Sequence, residues 1–324
     1  MKPNPKWNAM VMIVTPILIV GLLQGGLYQR VIYLKKKLEF ENIPYPLPVF
    51  PYGETEVQKA EKEVEILIEE AQEKKELIKK ALQYNIELPK PASIEEWQRI
   101  VREEGERKYL LSKTKALLEE MKIQISEKMF SVEEHPKIWY SALTNLNVKP
   151  VSNNNTSFVI MQAEMTYALR SLLEKVPLED NTLLNRPIQV DIEHAYRLAD
   201  VLSDWSDVEM CYENCKKIPC ISDSNCLGWR LPKRSEWLSA RGDIDQKWTY
   251  MSWLATSLDV PQPISMKAPN QNAIHDILGN VSEWVEEGNA MGGDYTSSLE
   301  DALDNQGKTV ERAGVRLVRI QENP

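Results

Sequence analysis

All four cysteines of this 324-residue chain, Cys211, Cys215, Cys220 and Cys226, fall within sixteen residues, and the three histidines, His135, His194 and His275, stand far apart. Cysteines so grouped either bind zinc or form disulfides. Zinc pairs usually sit two to four residues apart and often recruit histidine. These spacings fit that pattern poorly, so two disulfides are expected and the surrounding segment is assigned to an oxidising compartment. Among the three possible pairings a nested one, Cys215 to Cys220 inside Cys211 to Cys226, is expected; the other two stay open. No spacing signals a Ser-His-Asp arrangement, a phosphate-cradling glycine loop or a paired-carboxylate hydrolase. His194 and His275 read as structural histidines.

Charge narrows the partners. Through residue 127 the chain carries 20 basic and 20 acidic residues, and beyond it 19 basic against 28 acidic, so the whole net charge of -9 belongs to the C-terminal part. An acidic body without a basic stripe repels phosphate backbones, which excludes nucleic acid as the expected partner.

The elements that carry these residues follow from hydropathy. Residues 1–6 are expected to form a short, cytoplasmic N-terminus. Trp7 to Gln29 contains no charged side chain, and since about 20 apolar residues cross a bilayer, it is expected to be a transmembrane helix. A cleaved signal peptide is the alternative, disfavoured by Leu23 and Gln24 where small residues should stand. Residues 30–53, with Pro44, Pro46, Pro48 and Pro51, read as an extended linker. From 54 to 130 the chain is rich in Glu, Lys, Leu and Ala, with apolar residues at Val57, Ala60, Val64, Leu67, Ala71, Ile78 and Ala81. Pro89 and Pro91 interrupt it, and Ser93 with Glu96 forms a capping box that opens a second helix. An antiparallel helical hairpin or an oligomeric coiled coil is expected here, as a stalk. With an oxidising compartment beyond the membrane, the topology is N-in and C-out.

Residues 131–320 change texture: charge density falls and short segments alternate with turn formers, as in an irregular α+β domain. Four blocks stand out. They are Arg230-Leu231-Pro232 with Glu236-Trp237, Gly279-Asn280-Val281 with Glu283-Trp284, Gly292-Gly293-Asp294-Tyr295, and Gly314-Val315-Arg316. In this order they resemble the formylglycine-generating-enzyme (sulfatase-modifying-factor) family, whose domain is related to C-type lectins. Phe158 to Leu173 and Pro187 to Ser203 are similar to that domain's opening strand and helices. Ser282, Met291 and Leu238-Ser239 depart from the pattern.

The resemblance implies what to look for. Copper-dependent members hold Cu(I) on two cysteines between the last two blocks, and Gly293 to Gly314 has none; the iron-dependent relatives need a histidine cluster, and this chain has three isolated histidines. A catalytically degenerate member, a pseudoenzyme without a redox metal, is therefore expected. Some members bind calcium at the Gly-Asn block, which implies Asp276, Gly279, Val281 and Glu283 as ligands of a structural ion. A residual groove is expected near Asp294 and Tyr295. The expected function is a non-enzymatic subunit of a cell-envelope assembly: a single-pass bacterial inner-membrane protein that holds its head in the periplasm and meets other envelope proteins, or further copies, through its transmembrane helix and stalk. An oxidase or maturation factor for exported proteins, and a glycan- or peptide-binding receptor head, are the alternatives.

Overall fold

The computed structural model describes residues 26–44, 46–48, 53–89, 93–121, 130–153, 156–213, 215, 217–223, 225–243, 248–256 and 258–321. Most of the expected transmembrane span lies outside these residues, and among them no helix is long and apolar enough to cross a membrane. The chain divides into two compact units, Met1–Lys108 and Tyr109–Pro324.

The first unit is helical. Helix α1 covers residues 26–41, α2 Glu54–Gln83, and α3, Ile94–Glu120, begins here and continues into the second unit. The expected linker is thus helical from residue 30 through 41, and Leu27, at the end of the expected transmembrane span, recurs with Val31, Leu34 and Leu38 at helical spacing, all burying against Val57, Ala60, Val64 and Ile68. Arg30 pairs with Glu54 and Glu61, and Lys75 with Glu41 at 2.6 Å. Higher numbers on α1 meet higher numbers on α2, so the two helices run in the same direction.

The same holds for α2 and α3, against the expected antiparallel hairpin. Gln98 bonds Glu73, Gly105 lies against Tyr84, and Lys108 Nζ donates to the Asn85 carbonyl at 2.6 Å. The physical reason is the connectors. Residues 42–53 and 84–93 are too long for tight turns, and an extended Pro-rich strand of about 12 residues spans roughly 37 Å, more than the roughly 24 Å of α1. Among the described connector residues, Ile43 and Leu47 pack on the α1–α2 interface and Ile86 and Leu88 on the α2–α3 interface. Ser93 caps α3 as expected, its Oγ accepting from Glu96 N at 3.2 Å.

One seam on α2 therefore becomes two. Val57, Ala60, Val64 and Ile68 face α1, whereas Leu77 and Ala81 join Val101 of α3. At 100° per residue Leu77 lies about 140° round the helix from Val64. Ile78, expected in a single seam, is 42% exposed.

The second unit is α+β. It packs α4 (Pro136–Asn145), α5 (Tyr167–Glu174) and α6 (Ile192–Trp205) with a three-stranded antiparallel sheet ordered β1–β2–β5 (Val148–Asn153, Thr156–Met161, Val318–Ile320). Further elements are α7 (Arg234–Arg241), α8 (Trp248–Met251), the two-residue strands β3 (Glu283–Trp284) and β4 (Ala290–Met291), and α9 (Leu299–Ala302). Thr166 and Asp191 cap α5 and α6 through their side chains. Leu118 of α3 is buried with Trp139, Leu169 and Leu198, so the last turns of α3, assigned above to the stalk, belong to this core. A second cluster gathers Phe158, Ile160, Trp237, Leu278 and Val285. Pro232 lies just ahead of α7, which starts at Arg234, with Lys233 N donating to Glu236 Oε2 at 2.8 Å.

Candidate functional site

The motif blocks converge on one buried guanidinium. Arg316, just before β5, is fully buried, and so is Glu283 of β3. Arg316 Nη2 donates to Glu283 Oε1 at 2.6 Å, and Nε reaches both carboxylate oxygens at 3.0 Å. The remaining donors go to backbone: Nη1 to the Met161 carbonyl at 3.0 Å and Nη2 to the His275 carbonyl at 2.9 Å. Trp237 of α7 completes the set, its Nε1 donating to Glu283 Oε2 at 2.8 Å. One side chain from each of three blocks is thus tied to the others. Gly292 supplies the fourth: its φ is +86°, and a Cβ there would come within 2.8 Å of the Ile277 carbonyl and 3.0 Å of the Trp237 ring.

A second buried pair anchors the Arg-Leu-Pro block. Arg230 grips Glu236 with two parallel bonds, Nη1 to Oε2 at 2.7 Å and Nη2 to Oε1 at 2.6 Å. Nearby, Tyr212 Oη donates to Glu286 Oε1 at 2.9 Å, Ser222 N donates to the same oxygen at 3.3 Å, and Leu231 N donates to Tyr212 Oη at 2.9 Å. Trp284 Nε1 donates to the Val190 carbonyl at 2.8 Å and Gly314 N to the Ser282 carbonyl at 2.6 Å.

Two carboxylates crowd the same guanidinium. Burial, followed by the charge of Asp276, raises the Glu164 pKa well above the carboxylate range. Asp276 is likewise raised by burial. Burial opposes the charge of Arg316, and Glu283 more than offsets it, so its pKa is raised. Glu164 Oε1 accepts from Asn280 Nδ2 at 3.2 Å and Asp276 Oδ2 from Ser265 N at 2.7 Å, while Glu164 Oε2 and Asp276 Oδ1 have no hydrogen-bond partner among the described residues.

This arrangement does not fit the calcium site implied above. Both Glu283 oxygens are spent on Arg316 and Trp237, so a guanidinium stands where a metal ion would need them. Gly279 N donates to the Gly292 carbonyl, and Val281 packs against Gly314. Among the described residues no cluster of three or more His, Cys, Asp or Glu side chains could hold a metal ion.

Comparison with known proteins leaves the family open. No family description and no curated protein matches the chain. Solved structures that match include Treponema denticola variable protein 1, at 18% identity over 55% of this chain and 93% of that one with a TM-score of 0.40. PvdO from Pseudomonas aeruginosa matches at 11% identity over 54% and 91%, with a TM-score of 0.35. At these scores neither likeness assigns a fold or an activity.

The other expected sites resolve individually. The cysteines form the nested pairs Cys211–Cys226 and Cys215–Cys220. His194 Nε2 contacts Glu174 Oε1 at 2.5 Å, His275 Nδ1 donates to the Lys267 carbonyl at 2.8 Å, and His135 packs edge-on against Phe130. Asp294 Oδ1 accepts from the backbone and hydroxyls of Thr296 and Ser297, and Tyr295 Oη donates to the Asp259 carbonyl at 3.0 Å. Burial pushes Asp294 upward, yet these bonds, led by the Thr296 hydroxyl, hold it below the usual range. Asp294 and Tyr295 are thus committed to their own turn. Sequence reasoning missed Glu164 and Glu286. Glu164 stands between two apolar residues in Ala163-Glu164-Met165 and Glu286 directly follows Trp284-Val285, and a carboxylate so placed signals a buried polar partner.

Proposed function

We propose that this chain is a non-enzymatic structural or binding subunit of a bacterial cell-envelope assembly, in which an inner-membrane helix and a helical stalk present a catalytically degenerate head of the formylglycine-generating-enzyme type in the periplasm. The observation that carries this reading is how the motif residues are used. Arg316, Glu283, Trp237, Arg230 and Glu236 are bonded to each other or to backbone inside the core, so they serve the architecture of the head and leave its outer surface to make contacts. Two disulfides support an extracytoplasmic head. The helical unit supports a positioning role, because α1 and α2 bury a continuous seam while most of their surface stays exposed.

Purification in mild detergent, with co-purifying membrane proteins identified by mass spectrometry and metals by elemental analysis, tests the reading. A stoichiometric complex is expected. A solitary chain, or copper or iron bound to the head together with dioxygen consumption, would overturn it.

A further inference from the structure

An open cleft of about 350 Å³ lies between the start of α6, the disulfide-closed loop, β3 and the segment before β5. Its apolar lining comes from Ile192, Trp284 and Val310, with Ile218 at one wall. Ile218 belongs to the loop closed by Cys215–Cys220 and is 54% exposed; Ile221, just past that disulfide, is 58% exposed. A cross-linked loop holds these two apolar side chains in water at little further entropic cost on binding.

The rim of the cleft is charged and unbalanced. Asp191, Glu193 and Glu311 face one cation, Arg197, so three negative charges against one positive leave a net charge of -2. Asp191 spends one oxygen capping α6 through His194 N at 2.8 Å. Glu193, Glu311 and Arg197 make no side-chain hydrogen bond or ion pair among the described residues.

An apolar floor under an acidic rim matches a side chain with an apolar stem and a cationic head. We propose that this cleft receives a lysine or arginine side chain from a polypeptide segment of the partner, its stem over Trp284 and Ile192 and its head group toward Glu193 and Glu311, with apolar neighbours of that residue resting on Ile218 and Ile221. A polypeptide rather than a small amine is the occupant because the exposed isoleucines extend the contact beyond the cleft. The inference rests on the binding-subunit reading and names the kind of surface its partner presents.

The test uses the full chain, disulfides intact, in nonionic detergent, with fluorescently labelled Leu-Arg-Leu-Arg-Leu amide and Leu-Glu-Leu-Glu-Leu amide as probes in an anisotropy titration. The arginine peptide is expected to bind and the glutamate peptide not. Glu193→Gln combined with Glu311→Gln should weaken binding tenfold or more, and Arg197→Gln should tighten it severalfold by removing the opposing charge. All three side chains are exposed, so these variants should fold. Equal binding of both peptides, no binding of either, or a change below twofold in the double variant overturns the proposal. The failure of the broader reading is distinguishable: an assembly that co-purifies undiminished with the double variant sinks only the cleft, whereas a wild-type chain that brings down nothing sinks the subunit reading itself.

Discussion

Replacing Arg316 with methionine should be among the most damaging single substitutions in the head, and its cost relative to Glu283→Gln tests the account of the buried network. Arg316→Met leaves Glu283, Glu164 and Asp276 buried with no guanidinium, and strips hydrogen bonds from the Met161 and His275 carbonyls. Removing one partner of a buried pair costs about 3–5 kcal/mol, because the other charge stays behind. Glu283 is the charge left behind, because burial already favours the protonated forms of Glu164 and Asp276, so a loss within that range is expected. Glu283→Gln is milder. The amide keeps an acceptor for the guanidinium, and Arg316 still feels Glu164 and Asp276, so about 2–3 kcal/mol, the value of charged hydrogen bonds, is expected. Against a total stability of about 5–15 kcal/mol, either change is measurable. Urea unfolding of the full chain, followed by the fluorescence of the buried Trp237 and Trp284, gives both values at pH 7. Lowering the pH should recover part of the Arg316→Met loss, since protonation neutralises Glu164 and Asp276, whose pKa values burial already raises. A loss below 1 kcal/mol for Arg316→Met, or a larger loss for Glu283→Gln, would refute the reasoning.

Three further outcomes follow from the same structure. Glu164 is raised in the folded state above its ordinary value of 4.5, so the fold binds its proton more tightly than the unfolded chain; the associated stability is present below about pH 4.5 and is lost as pH rises toward the folded pKa, with a slope of up to about 1.4 kcal/mol per pH unit. Glu164→Gln should flatten the stability profile over that window in urea titrations, and an unchanged slope would show that Glu164 does not titrate there. Removing the disulfide across the longer loop, separation 15, should cost about 3 kcal/mol, and removing the one at separation 5 about 2 kcal/mol; paired Cys→Ser variants compared by thermal unfolding would contradict this if the order reversed. Gly279 has φ +81° and its backbone lies so close that a Cβ would meet the Trp253 carbonyl oxygen at 2.1 Å, so Gly279→Ala should destabilise the head by about 3 kcal/mol or more, and a wild-type melting temperature would disprove it.

What the sequence disclosed depended on whether the signal was local. The cap at Ser93 and the α+β texture of the head were legible, because each shows in residues close together in the chain; the cysteine spacing pointed to two disulfides, and the nested pairing expected among three is the one that forms. The direction of the helices was not. Val57, Ala60 and Val64 announce a buried face, yet nothing in that spacing says whether the covering helix runs up or down; connector length decides that, and the prolines at 44, 46, 48 and 51 were compatible with a free spacer as well as with a strand folded back on the seam. The partner of Glu283 was hidden for a related reason. A carboxylate beside Gly-Asn can ligate calcium or receive an arginine, and Arg316, 33 residues away, is brought to it only by the tertiary fold.

The buried polar residues of the head serve a further accounting need. Its sheets are small: β5 has three residues and β3 and β4 two each, so regular ladders satisfy few of the buried backbone groups, which must nonetheless find partners. Side chains take over that role. Arg316 serves the carbonyls of residues 161 and 275, Trp284 that of residue 190, Asn270 those of residues 240 and 241, and Asn145 both the Glu164 carbonyl and the Thr166 amide. Each joins segments distant in sequence. A fold held by such cross-ties must keep particular Arg, Asn, Glu and Trp residues in fixed places, so motifs that look chemical can persist for structural reasons. If that is their role here, replacing Asn145 with leucine of similar size should destabilise the head as a lost core contact does, by about 2 kcal/mol or more from the stranded Glu164 carbonyl and Thr166 amide, which urea unfolding measures directly; a neutral result would mean that these ties are incidental to the fold.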